Sequence, residues 1–191
     1  MKTVIIYCHR SDSKLENKML NTVLQELKVL GHETYVVNII GDIFPEGLMT
    51  SQELELPTDE EVSEQVRIVQ EEIAECNNIV FLFPHYWNEM AAYVRRFVDK
   101  VFMAEWGGGR VFASDKKLRN VKASLITSMR IPQILFSSRT AGGYSDSFTV
   151  SILKLCGIRN IKWFNIGLWS DLNPKAKEKK IEKIRDYFQK L

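Results

Sequence analysis

Cysteine is scarce in this chain, and each one stands alone. Cys8, Cys76 and Cys156 are the three present in 191 residues. They are odd in number and far apart, with no CxxC pair and no Cys/His ligand cluster. That argues against a disulfide framework and a metal centre, and reads as reduced, mostly buried thiols in a cytosolic protein. For Cys8, at the end of a strand, a reactive thiol is the alternative. Charge of one sign is also lacking: 26 basic and 24 acidic residues leave a formal net charge of +2. Bulk attraction to nucleic acid or an anionic membrane is therefore not expected, and only local patches remain open. No run approaches the roughly 18 apolar residues needed to span a bilayer. The opening "MKTVIIYCHR" is too short an apolar run for a secretory signal, so the expectation is a cytoplasmic protein. Internal repeats, low-complexity segments and linkers are absent too, which implies one domain over residues 1–191.

What is present is an ordinary globular composition, 45% apolar and 26% charged, arranged in alternating patterns. "TVIIYC", Thr3 to Cys8, is apolar on both faces, as a central strand of a parallel sheet requires. Leu15, Met19, Leu20, Val23, Leu24 and Leu27 then recur at helical spacing, and Gly31 ends that helix as a left-handed cap. "ETYVVNI" (Glu33 to Ile39) predicts a second strand, followed by an irregular stretch from Gly41 to Pro57. Thr58 with Glu61 forms a capping box for a helix carrying Val62, Val66, Val69, Ile73 and Cys76. "NIVFLF" predicts the third strand and Met90 to about Phe102 the third helix. "KASLITS" (Lys122 to Ser128) follows, then a helix from Ser147 to Cys156 closed by Gly157, then the strand "IKWFNIG". Asn173-Pro174 caps a last helix whose stripe of Ile181, Ile184, Tyr187 and Phe188 docks on the sheet. The order βαβαβαβαβα predicts an open doubly wound α/β fold with a parallel sheet wrapped on both faces.

In such sheets ligands bind beyond the carboxyl ends of the strands, where the strand order reverses. Three loops reach that point: "HRSDSKLEN", "PHYWNE" and "SMRIPQ". The first lacks GxGxxG, so the usual dinucleotide turn is missing. It offers His9, Arg10, Ser11, Ser13 and Lys14 ahead of a helix, a donor set that suits a phosphate ester. Simple helix capping by Ser11, Asp12 or Ser13 is the plainer alternative. In the second loop Pro84 fixes the local path, and the rings of Tyr86 and Trp87 either wall a pocket or pack into the core. In the third, Thr127, Ser128 and Arg130 either contact a ligand or form a turn ahead of Pro132.

Taken together, "FPHYWNEMAAYVRRFVDKVF", "DIFPEGLMTSQE", "EWGGG", "VKASLITS" and "LKLCGIRNI" resemble the flavodoxin-like NAD(P)H:quinone oxidoreductase family. That family includes reductases of the modulator-of-drug-activity type and ancillary proteins of potassium efflux systems. The resemblance covers nearly the whole chain. It implies a flavodoxin-like doubly wound sheet of five parallel strands in the order 2-1-3-4-5, helices on both faces, and a flavin held by the three loops. By this carry-over His9, Ser11, Ser13 and Asn17 sit by the flavin phosphate. Pro84, His85, Tyr86, Trp87 and Asn88 run along the ring edge, and Thr127, Ser128, Met129 and Arg130 close the site. The resemblance also implies a homodimer in which Trp106 reaches the partner's pocket. Two stretches depart from it. Ser128, Met129 and Arg130 replace a common Thr-Gly-Gly, so either the loop stands off or Arg130 faces an anionic group. Ala91 stands where many members have proline.

The activity so implied is passage of hydride from NAD(P)H through bound flavin, FMN with FAD as the alternative, to a quinone or similar small acceptor. A flavin needs orientation, a dry stacked pocket and charge near its ring more than an acid–base pair, and no Ser/His/Asp triad or carboxylate pair is evident. Rival readings are a regulatory or binding protein of the same fold with little turnover, an electron carrier, and a phospho-receiver domain. The near-neutral charge argues against the carrier. His9-Arg10 and Pro84-His85 occupy the places where a receiver needs acids.

Overall fold

Five long strands carry the apolar runs of the sequence: β1 Lys2–Tyr7, β2 Glu33–Asn38, β3 Asn78–Tyr86, β4 Lys122–Met129 and β5 Asn160–Gly167. This structure, a computed structural model, describes residues 1–9, 14–43, 59–86, 89–90, 92–107, 118–129 and 148–191. At 59–63, 85–86, 89–90, 92, 103–107, 148–150 and 170 the description is of the backbone. The five strands are mutually parallel and lie side by side in the order β2-β1-β3-β4-β5. That is the order 2-1-3-4-5 expected above. Strand bounds differ from the sequence reading by a residue or so, as frayed ends do, except at β3.

The sheet is sandwiched because alternate residues of its strands face opposite sides. Ile5, Val80, Leu82, Ile126 and Ile166 pack against α1 (Lys14–Val29) and the last helix, α5 (Pro174–Phe188). Val4, Ile6, Phe81, Phe83, Ala123 and Leu125 pack against α2 (Asp59–Glu75), α3 (Ala92–Phe97) and α4 (Phe148–Leu155). Phe81, Phe97, Phe102 and Phe188 are fully buried, and large side chains of this kind supply most of the apolar burial that holds a domain together. The α1 stripe is as expected except that Leu24 is only partly buried.

The punctuation is local chemistry. Gly31 takes φ +70 after α1, where a side chain would be strained. Asn173 accepts at Oδ1 from the Ala176 N–H at 2.8 Å, with Pro174 in the first turn of α5. On α5, Ile181, Ile184 and Phe188 are buried, and Tyr187 accepts from Ser124 Oγ of β4 at 3.2 Å. After β2 the chain turns irregularly through Ile39–Ile43 about Gly41. The expected capping box at Thr58 and the start of the fourth helix at Ser147 lie outside the described residues.

One expectation is corrected. The third helix does not begin at Met90: Glu89–Met90 instead pairs antiparallel with His85 and Tyr86 at the end of β3. The helix starts at Ala92 and continues beyond Phe97 in widened, π-helical turns through Val98–Gly107. Backbone groups at the end of β3 find ladder partners on the returning segment and on β4, and that outweighs the helical period in the local sequence.

Candidate functional site at the C-terminal rim of the sheet

Parallel strands end at one rim, and adjacent strands bring their loops together there. Tyr7 pairs with Leu82, Phe83 with Thr127 and His85 with Met129, so the ends of β1, β3 and β4 are neighbours. The Cys8 N–H extends the ladder by donating to Leu82 O at 2.9 Å. His9 follows, buried, its ring centroid 4.9 Å from that of Tyr7 at an interplanar angle of 38°. Burial raises the Tyr7 hydroxyl's pKa, and the nearby Asp42 carboxylate adds to the effect. Five positions beyond His9, α1 begins, with Lys14 exposed and Asn17 half-buried in its first turn. The first N–H groups of a 16-residue helix have no partner within the helix and form the positive end of its dipole. Such an end receives anions.

At the second loop the structure replaces a turn with strand. Pro84, His85 and Tyr86 belong to β3, and Pro84 and His85 are paired with Ser128 and Met129. Pro84 is half-buried. It lacks a donor, so it sits where β3 is about to leave the sheet, as strand prolines do. The proline stands inside the strand, two residues before its end, and the hairpin return places the backbone of residues 85–86 and 89–90 on the rim.

At the end of β4, neighbouring side chains point to opposite faces. Thr127 is fully buried, and its Oγ1 accepts from Trp163 Nε1 of β5 at 2.8 Å. Its hydroxyl is thus engaged inside the protein, and its backbone lies between β3 and β5 in the ladder. Ser128 faces the α1 side, where its hydroxyl donates to the Glu16 carboxylate. Met129 is buried, and its carbonyl accepts from the Leu168 N–H at 2.9 Å. The structure therefore gathers His9, Asn17, Pro84, Ser128 and Met129 at one rim. Arg10, Ser11, Ser13, Trp87, Asn88 and Arg130 lie outside the described residues, and Trp106 is described by its backbone at the end of the π-helical extension.

Two rim residues escaped the sequence reading. Glu16 lies at 8% exposure, and its spacing to Leu20, Val23 and Leu27 marks it as facing inward on α1. Asn165 follows Ile161 and Trp163 by strand alternation and stands opposite Thr127. Its Oδ1 is buried with no hydrogen-bond partner among the described residues. In both cases a polar residue at a core-facing period was the available signal.

Cys8, Cys76 and Cys156 are free and buried. Burial pushes the Cys8 thiol up to about 12, which suppresses the thiolate that a reactive cysteine needs. Among the described residues no group of three His, Cys, Asp or Glu side chains is placed to hold a metal ion. No helix among them is long and apolar enough to cross a membrane. A cavity of about 340 Å³ lies between β2 and α2, lined by Tyr35, Asp42, Gln65 and Ile68 among others. It lies at the sheet edge beside β2.

An open parallel sheet whose strand order reverses between β1 and β3, with a helix N-terminus and the two strand ends at that point, defines the flavodoxin-type class of α/β proteins. Residues 1–191 match the family described as having a flavodoxin-like fold, and the chain belongs to that family. The same fold recurs in solved structures of low identity. Smu.1420 from Streptococcus mutans UA159 is 20% identical, with 100% of each chain covered and a TM-score of 0.75. An NAD(P)H:quinone oxidoreductase from Methanothermobacter marburgensis is 18% identical over 99% of this chain and 94% of its own, at 0.73. An FMN-dependent NADH-azoreductase from Bacillus anthracis str. Ames Ancestor, in complex with FMN, is 14% identical over 100% and 99%, at 0.75. No curated protein matches the chain.

Proposed function

We propose that this protein is a flavin-dependent NAD(P)H oxidoreductase that holds FMN at the C-terminal rim and reduces a quinone or similar small acceptor. The observation that carries the reading is the convergence of β1, β3 and β4 on the N-terminus of α1, with His9 and Asn17 beside it. The donor set fits the cofactor. Helix N–H groups, the Lys14 cation and the buried imidazole of His9 suit a phosphate ester. The one acid in that turn, Glu16, is bonded to Ser128 and so is turned away from a phosphate. The strand ends at residues 84–86 and 127–129 hold backbone in fixed positions at this rim, a rigid edge of the kind that a planar heterocycle needs for orientation.

In this reading His9, Ser11, Ser13 and Asn17 bind the phosphate. Pro84, His85, Tyr86, Trp87 and Asn88 line the ring, Tyr86 and Trp87 excluding water from it. Thr127, Ser128, Met129 and Arg130 close the far side, Arg130 supplying a cation. Bound flavin supplies the two-electron chemistry between the nicotinamide donor and the acceptor. The chain works as a cytoplasmic homodimer, with Trp106 contributed to the partner's pocket. Relatives of the same fold named as FMN-dependent and as NAD(P)H:quinone reductases support the reading.

The test is direct. Freshly purified protein should be yellow, release FMN identified by mass, and oxidise NADH or NADPH in the presence of a quinone. A colourless protein that takes up neither FMN nor FAD would overturn the reading.

A further inference from the structure

Glu16 is the single buried carboxylate among the described residues. A carboxylate out of water is costly unless it is hydrogen-bonded. Its position makes the burial informative, because the first turn of α1 is also where an anionic phosphate would dock. Left without an anchor there, the carboxylate would compete for the same N–H donors and repel the phosphate. Ser128 removes that competition. Its hydroxyl, on a residue 7% exposed at the end of β4, donates to Glu16 Oε1 across a sequence separation of 112.

We propose that Glu16 is a positioning residue for the flavin: through Ser128 it clamps the turn that receives the phosphate to the strand end that receives the ring. The inference rests on the flavin reading above. Phosphate and ring would be held by different elements, α1 on one side and β4 on the other. A buried cross-link between them fixes the spacing of the two halves before the ligand arrives and so lowers the ordering cost of binding. The carboxylate's charge has a second consequence. A fixed negative charge at the rim opposes electron uptake at the site and depresses the potential of whatever is bound there.

The experiment is a double-mutant cycle read in FMN affinity, by fluorescence titration of the apoprotein, for wild type, E16A, S128A and the pair. The melting temperatures of the apoproteins are recorded alongside. E16A and S128A should each weaken FMN about tenfold, and the pair should be no worse than either single variant. E16Q keeps an acceptor for Ser128 but loses the charge, so it should bind FMN close to wild type and raise the reduction potential of the bound flavin. A clamp that serves only the fold would lower apoprotein melting and leave FMN affinity untouched, which would overturn the proposal, as would additive effects in the pair. If E16A does not fold, S128A and E16Q decide: wild-type affinity in the first with an unshifted potential in the second also overturns it. Wild type that binds FMN without coupling sinks this inference alone, whereas wild type that binds no flavin sinks the functional reading and this inference with it.

Discussion

The two ends of the sheet are built on opposite terms. At the N-terminal end polar groups are paired with close neighbours. Lys2 Nζ lies between Glu72 Oε2 at 2.9 Å and Glu75 Oε2 at 3.0 Å, and Asn77 Oδ1 accepts from the Lys2 N–H at 2.9 Å. Thr3 Oγ1 stands 3.0 Å from His32 Nδ1 and accepts from Asn78 Nδ2 at 3.4 Å. At the C-terminal end the structure buries a carboxylate on a serine and leaves Asn165 Oδ1 without a partner among the described residues. It also holds Leu168 at φ 50, a left-handed backbone that a leucine rarely adopts. Unsatisfied polarity and strained backbone gather where ligands bind and are kept out of regions that only need to be stable. One end of the sheet, the closing end, is thus sealed by pairing, and the other is the candidate working end.

The largest effect is expected midway between them. Phe81→Ala, in a fully buried position of β3, should cost about 3–5 kcal/mol in urea denaturation, whichever end is then probed. Next comes the working end. Pro84→Gly combined with Trp87→Ala should weaken FMN by roughly 10–100-fold while apoprotein melting moves little. Full FMN occupancy in that variant would remove the ring from this corner. At the closing end Thr3→Val deletes the hydroxyl shared by His32 and Asn78, and should destabilise by about 1–2 kcal/mol with FMN affinity unchanged. Loss of FMN affinity there would break the comparison.

The smallest effect concerns pH. The His32 pKa is lowered, first by burial and then by the N-terminal amine, so the unfolded chain binds a proton at higher pH than the folded one does. His32 therefore contributes stability that is present above its unfolded value, about 6.5, and is lost as pH falls through that value toward the folded one. Melting between pH 7.5 and 5.5 should fall slightly more in wild type than in His32→Gln. An identical decline in both would show that the N-terminal end does not sense protons through this ring.

Much of the architecture was legible because its causes are local. The α1 stripe, the turn at Gly31 and the Asn173-Pro174 cap each follow from a few neighbouring residues, and all three stand where expected. The rim was legible in part. Three strand ends were correctly brought together by topology, which placed His9, Pro84 and Ser128 side by side. Pro84 itself was misread as a loop, because a proline signals a break in the chain and says nothing of the strand alongside that will pair with its neighbours. Glu16 and Asn165 were not singled out in the sequence. Neither shows its partner, or its want of one, in the surrounding sequence.

The sequence by itself determined which segments become strands and helices, and that they alternate, since periodicity and capping act over a few residues. Only the tertiary structure decided that an acid in the first turn of α1 meets a serine 112 positions later, and that β3 runs on past its proline. Those outcomes depend on which strand lies next to which. Adjacency in a sheet is settled by burying all its faces at once, a collective choice that no single stretch of chain encodes.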